Sequence, residues 1–309
     1  MRSTLQSIAT ALVAFLFTAA CAVQTPAEQN WRQAFTTSED GTRIAYYTRG
    51  PAHAGATPLF VISGGPGSDH RYMRVGGAFE KIAETRAVIM FDQRSTGASD
   101  AAGDEPELRD WAQDVEAIRA ATGAQQLDLL GHSFGAYVAL AYAEEFGPHV
   151  RSLVFAGSPP PTLAQNEPLL GQIYPDRISE WVETRQSLPD RFKAPEISVF
   201  FSMEFVNPDL AKEYEAAVAG YEYNIDVNNR LRGAMQEIDF TDLVSSFEKP
   251  ALVMHGRFDA VIAPSVAWRL HNALPNSTFT VVEEAGHLFF VEKPDMFASE
   301  LTQFLTSLD

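Results

Sequence analysis

The sequence predicts an α/β fold built on a mostly parallel sheet, and three observations carry that prediction. Short, continuous apolar runs recur at 59–62, 87–91, 127–130, 153–156 and 251–255, the pattern of strands covered on both faces. Helical patterns at 77–84, 108–122, 134–145 and 265–273 are interspersed with them, so strand and helix alternate. The run at 127–130 leads directly into Gly131-His132-Ser133-Phe134-Gly135 and a helix-forming stretch, a strand–turn–helix with glycines flanking a serine.

Taken in order, the chain begins with a segment unlike the rest. Arg2 is the only charged residue before Glu28, and 8–20 is an apolar run followed by small residues. This describes a secretory signal peptide over 1–22, and the run is too short for a comfortable transmembrane helix. A buried N-terminal helix is the alternative. Cys21, the single cysteine of the chain, follows Thr18-Ala19-Ala20. The arrangement resembles a bacterial lipoprotein signal, in which the cysteine becomes the lipidated first residue, although Thr18 stands where leucine is usual. Ordinary cleavage after Ala20 or Ala22 is the rival, and no second cysteine exists to form a disulfide. The expectation is an exported protein of a bacterial cell envelope, held to the membrane through Cys21 or else periplasmic or secreted. The formal charge of -17, which becomes -17 - 1 = -18 once Arg2 is removed, repels phosphate backbones and anionic membrane faces. No nucleic-acid partner is expected.

Residues 23–34 are polar and proline-marked, and read as a tether. The strand pattern at 43–48 ends in the turn signal Arg49-Gly50-Pro51. The core is read as 35–158 and 248–309. Alternation stops at Gly157-Ser158-Pro159-Pro160-Pro161, and 159–247 is aromatic, acidic and helix-like, notably at 177–185 and 208–221. Because the strand rhythm resumes at Lys249-Pro250, this insertion reads as a helical cap over the carboxyl edge of the sheet, where open α/β sheets bind ligands. A separate second domain is the alternative, but both ends of the segment lie inside one sheet.

Gly131-His132-Ser133-Phe134-Gly135 predicts a tight turn that exposes the Ser133 hydroxyl at a helix N-terminus. A serine hydroxyl is a weak nucleophile and needs a base held in one tautomer by an acid. The expected chain order is serine, acid, histidine. Asp259, just past the strand at 251–255, and His287, after the strand at 278–282, fit it. His255 and His271 fall inside a strand and a helix pattern and read as packed or solvated. His132 reads as structural, and Glu283 and Glu284 lie on the wrong side of the acid position. An oxyanion hole needs two backbone N–H groups. Phe134 is the expected first donor, and Gly65, in Ser63-Gly64-Gly65-Pro66-Gly67, the second. Neither metal nor cofactor is implied.

Two segments extend this reading. Ser63-Gly64-Gly65-Pro66-Gly67 resembles the H-G-G-P-G loop of the proline iminopeptidase family of α/β-hydrolases. Asp92-Gln93-Arg94-Ser95-Thr96-Gly97-Ala98-Ser99 resembles that family's D-Q-R-G-x-G-x-S segment. With the elbow, the cap and 249–259, the similarity spans Phe35 to the C-terminus, with Ser63 in place of histidine and Ser95 in place of glycine. The resemblance implies the α/β-hydrolase fold and an aminopeptidase acting on short peptides. Asp92 and Arg94 would pin loops. Acids mainly from the cap would hold the substrate ammonium, since a buried cation needs a carboxylate. The candidates are Glu204, Glu213 and Glu222, with Glu222 the best placed. Related enzymes also hydrolyse esters, lactones or amides, so a carboxylic ester hydrolase is the alternative. A non-catalytic binding protein on the same scaffold is a remoter one. Those that open epoxides or haloalkanes carry aspartate where this chain has Ser133.

Overall fold

The computed structural model describes residues 31–51 and 56–309; the signal segment, Cys21 and residues 23–30 of the tether lie outside them. Ten strands occur in this span: β1 (Arg32–Thr37), β2 (Arg43–Arg49), β3 (Leu59–Ile62), β4 (Val88–Phe91), β5 (Leu127–His132), β6 (Val150–Ala156), β7 (Arg191–Lys193), β8 (Glu222–Asn224), β9 (Ala251–Gly256) and β10 (Ser277–Val282). Eight of them form one sheet in the order β1-β2-β4-β3-β5-β6-β9-β10. β2 runs antiparallel to both β1 and β4, and the neighbours from β4 to β10 are parallel.

The continuous apolar runs are explained by burial on both faces. Phe60, Ile62, Ile89, Phe91, Leu129 and Val253 enter one core beneath α2 (Leu108–Thr122) and α3 (Gly135–Phe146). Their neighbours Leu59, Val61, Val88, Met90, Leu130 and Leu252 enter the other, against α1 (Ala78–Ile82) and α12 (Pro294–Thr306). A two-residue period therefore sends alternate side chains into different cores, and a polar residue there needs a partner, as Asp128 has in Arg151 and Ser152. β1 departs from the reading as tether. It starts at Arg32 and pairs fully with β2, but as an edge strand with one face toward water it carries few apolar residues.

Between β6 and β9 the chain leaves the sheet and forms α4 (Leu170–Ile173), α5 (Pro175–Ser187), α6 (Ser198–Glu204), α7 (Pro208–Val218), α8 (Ile225–Gln236) and α9 (Thr241–Ser246). The segment is not purely helical: β7 and β8 pair as an antiparallel ribbon of three residues each. That ribbon sits on the loop after β3, where Asn224 N–H donates to the Gly67 carbonyl at 2.9 Å. A Cβ on Gly67 would meet the Asn224 carbonyl oxygen at 2.0 Å, so the approach needs glycine. The Asn224 amide also donates to the Ser95 carbonyl at 2.9 Å. The inserted segment is thereby fixed to both loops singled out by the sequence resemblance.

After β9 come α10 (Pro264–Ala273), β10, α11 (Phe289–Glu292) and α12. Among the described residues no helix is long and apolar enough to cross a membrane.

Candidate active site

β5 ends in a turn that no other residue pattern would permit. A Cβ at Gly131 would lie 2.5 Å from the Ala136 backbone, and one at Gly135 would lie 2.3 Å from the Ile62 carbonyl oxygen. Between them Ser133 adopts φ +50°, a left-handed conformation costly for a non-glycine residue. Its N–H is held by the Ala156 carbonyl at 3.0 Å. The side chain faces a cavity of about 250 Å³ shared with His287 and Gly65. Phe134 follows at the N-terminus of α3, where unpaired N–H groups and the helix dipole favour negative charge.

Asp259 lies just past β9. Its Oδ1 accepts from the N–H groups of Val261 and Ile262, both at 2.9 Å, and Oδ2 accepts from His287 Nδ1 at 2.8 Å. Burial raises its carboxyl pKa, but His287 and the hydrogen bonds outweigh that and hold it below the usual value. His287 is buried, which lowers its pKa, yet Asp259 and, to a lesser extent, Glu204 bring it above the ordinary imidazole value. The result is an imidazole with one ring nitrogen held by a carboxylate, lining the same cavity as Ser133. His255, read from its strand position as packed or solvated, is buried, and its Nε2 stands 3.2 Å from Asp259 Oδ2.

The loop carrying Gly65 is held from below. Gln93 Nε2 donates to the Ser63 carbonyl at 2.7 Å, and Gly64 N–H donates to Tyr72 Oη at 2.5 Å. Gly65 has φ +119° and lines the cavity. Asp92 accepts from Tyr47 Oη at 2.9 Å and meets His70 Nδ1 at 2.6 Å. Arg94 bonds Asp114 at 2.6 Å and Asp40 at 2.8 Å. Both are buried ion-pair residues. Asp69, His70 and Asp92 bring three ligand-type atoms within 4.8 Å of one another, but Arg71 clamps Asp69 through contacts as short as 2.6 Å. Asp69 therefore has a cation of the chain itself as its partner.

The cavity's outer wall is aromatic, formed by Trp181, Phe192, Phe200, Phe201, Tyr214 and Tyr223 of the inserted segment. Of the three candidate glutamates, only Glu204 reaches it. Glu204 is buried, and burial pushes its carboxyl up to about 7, against a small opposing effect of His287. Glu222, the preferred candidate from sequence, is a correction: it stands outside the cavity on β8, half-exposed, bonded to Arg191 at 2.9 Å and 3.9 Å from Lys193. On a strand the faces alternate, and Tyr223 takes the inward one. Glu213 is exposed on α7.

Two contributors carried no sequence signal. Tyr72 looks like one more aromatic residue in a polar segment. Glu292 ends α11, and its carboxylate accepts three backbone N–H groups: Gly286 at 2.6 Å, Val206 at 2.9 Å and Asn207 at 3.0 Å. Together with His287 N–H on the Glu204 carbonyl at 2.8 Å, it ties the loop of His287 to the inserted segment.

Comparison with known proteins places this geometry. A family model described as alpha/beta hydrolase fold matches residues 57–294. A proline iminopeptidase of Clostridioides difficile (strain 630) is 30% identical over 297 residues, covering 87% of this chain and 96% of that protein. One from Lactobacillus acidophilus is 27% identical over 270 residues, covering 82% and 91%. Among solved structures, an esterase from Rhodococcus sp. ECU1013 superposes with a TM-score of 0.72 at 26% identity, covering 90% of this chain and 99% of that one.

Proposed function

We propose a function from one premise: the chain belongs to the α/β hydrolase fold family. The protein is a serine hydrolase, and the observation that carries this is the buried His287–Asp259 pair facing the same cavity as the strained Ser133. Ser133 Oγ attacks a substrate carbonyl while His287 takes its proton, and the N–H groups of Gly65 and Phe134 hold the oxyanion. His287 then protonates the leaving group, and water activated by the same imidazole releases the acid from the acyl-enzyme.

Within that class the reading is an aminopeptidase that removes an N-terminal residue from short peptides. The resemblance to proline iminopeptidases supports it, as does Glu204, a cavity carboxylate able to receive a substrate ammonium. A cavity of about 250 Å³ lies below the usual range for drug-sized ligands, which suits a single small acyl group. The superposition on an esterase keeps a second reading open, hydrolysis of small carboxylic esters.

A fluorophosphonate should label the protein, and Ser133→Ala should abolish labelling; an unlabelled wild-type protein refutes the serine mechanism. Prolyl and alanyl arylamides compared with p-nitrophenyl esters then separate the readings, with ester-only turnover favouring the second. The leader and Cys21 support export to a bacterial envelope with a lipid anchor.

A further inference from the structure

Beneath the cavity, three hydrogen bonds link the loop of Gly65 to the loop of His287, and a neutral His132 gives each of them one direction. Gly64 N–H can only donate, so Tyr72 Oη accepts it at 2.5 Å. The Tyr72 hydroxyl proton then points to His132 Nδ1 at 2.7 Å. With Nδ1 accepting, His132 carries its proton on Nε2, which faces the His287 carbonyl oxygen at 3.3 Å. Tyr72 and His132 are both buried. Burial and the neighbouring His287 keep His132 well below the ordinary imidazole pKa, so the ring is neutral as the chain requires. Phe290 closes the ring's edge at a centroid distance of 5.0 Å.

We propose that Tyr72 and His132 are positioning residues that hold the oxyanion loop and the base in register across the cavity floor. The proposal rests on the serine hydrolase reading. Fixing Gly64 N–H turns the next peptide, Gly65, toward the oxyanion position. Fixing the His287 carbonyl orients the residue whose ring must reach Ser133. Because both ends hang on one directed chain, removing either middle member frees both, and the effects of removing the two do not multiply.

The test measures the second-order rate constant of fluorophosphonate labelling, its end-point and its pH profile for Tyr72→Phe, His132→Phe and the double variant, with thermal melting as the check on folding. Tyr72→Phe should slow labelling at least tenfold, below the 10²–10³ typical for deleting a donor outright. The end-point should stay complete and the pH midpoint unchanged, since His287–Asp259 is intact. The double variant should label no slower than the worse single one. A purely structural role would instead lower the end-point and leave the rate of the folded fraction intact, and that result overturns the proposal. So does a double variant whose loss is the product of the single losses. If Tyr72→Phe does not fold, His132→Gln decides: it retains an acceptor and a donor, and should label faster than His132→Phe. Equal rates overturn the proposal. Failure of the wild-type protein to label sinks the hydrolase reading itself and is distinguishable from all of these.

Discussion

Replacing Glu204 by glutamine should make the free protein more stable at alkaline pH while impairing it on aminoacyl substrates. Burial raises the Glu204 carboxyl from 4.5 to about 7. A group whose folded pKa is raised supports the fold below its unfolded pKa, and that support is lost as pH rises through the folded value. At 1.36 kcal/mol per unit, a shift of about 2.5 units corresponds to about 3 kcal/mol at pH 8, and to under about 1 kcal/mol at pH 5. Glu204→Gln removes the ionisation and leaves the shape, so urea unfolding at the two pH values should show its advantage over wild type growing by roughly 2 kcal/mol. The functional half follows from the same titration. The ionised fraction rises from about 9% at pH 6 to about 91% at pH 8 while the substrate amine falls from almost fully cationic to about 40%, so the wild-type preference for an alanyl arylamide over a neutral ester should grow about fourfold. In Glu204→Gln the preference should be flat with pH, and kcat/KM on arylamides about 10- to 150-fold lower, the range for losing a charged hydrogen bond. A stability difference that does not change between pH 5 and pH 8 refutes the reasoning, because Glu204 would then be solvated in the free protein.

Two other perturbations bear on different parts of the reading. Because Asp259 and Glu204 raise the His287 pKa and the base must be neutral, kcat/KM of the wild type should fall on the acid side with a midpoint above 6.5. Asp259→Asn should lower kcat by roughly ten-thousand-fold and move that midpoint downward; an unmoved midpoint in pH–rate profiles would exclude Asp259 as the partner. For the leader, Cys21→Ser should shift the protein from the membrane to the soluble fraction on cell fractionation, and an unchanged distribution rules out the lipid anchor.

What could be read from sequence, and what could not, divides on physical grounds. Strands β3 to β6 and β9 were legible because each holds a mostly apolar run buried on both faces, even where Asp128, Ser152 or His255 interrupts it. The turn at Ser133 was legible because steric exclusion at Gly131 and Gly135 leaves the chain no alternative. β1 escaped because an edge strand exposes one face and reads as polar. β7 and β8 escaped because three residues make no period. Glu222, in Tyr221-Glu222-Tyr223-Asn224, is the best placed acid by sequence, whereas the direction of a side chain on a short ribbon is set by its partner strand. Tyr72 and Glu292 act through contacts with residues distant in the chain, which leave no local pattern.

Glu292 bears on any attempt to redesign this scaffold. One carboxylate fastens Val206 and Asn207 of the insertion and Gly286 next to the imidazole, so it is shared property of two parts that a protein engineer would treat as separable. Trimming 159–247 to obtain a bare, open-faced core would remove two of the three amides that carboxylate accepts from and loosen the very loop the truncated protein must keep rigid. Grafting a foreign lid is the safer route, provided the graft returns two amides to the same spot.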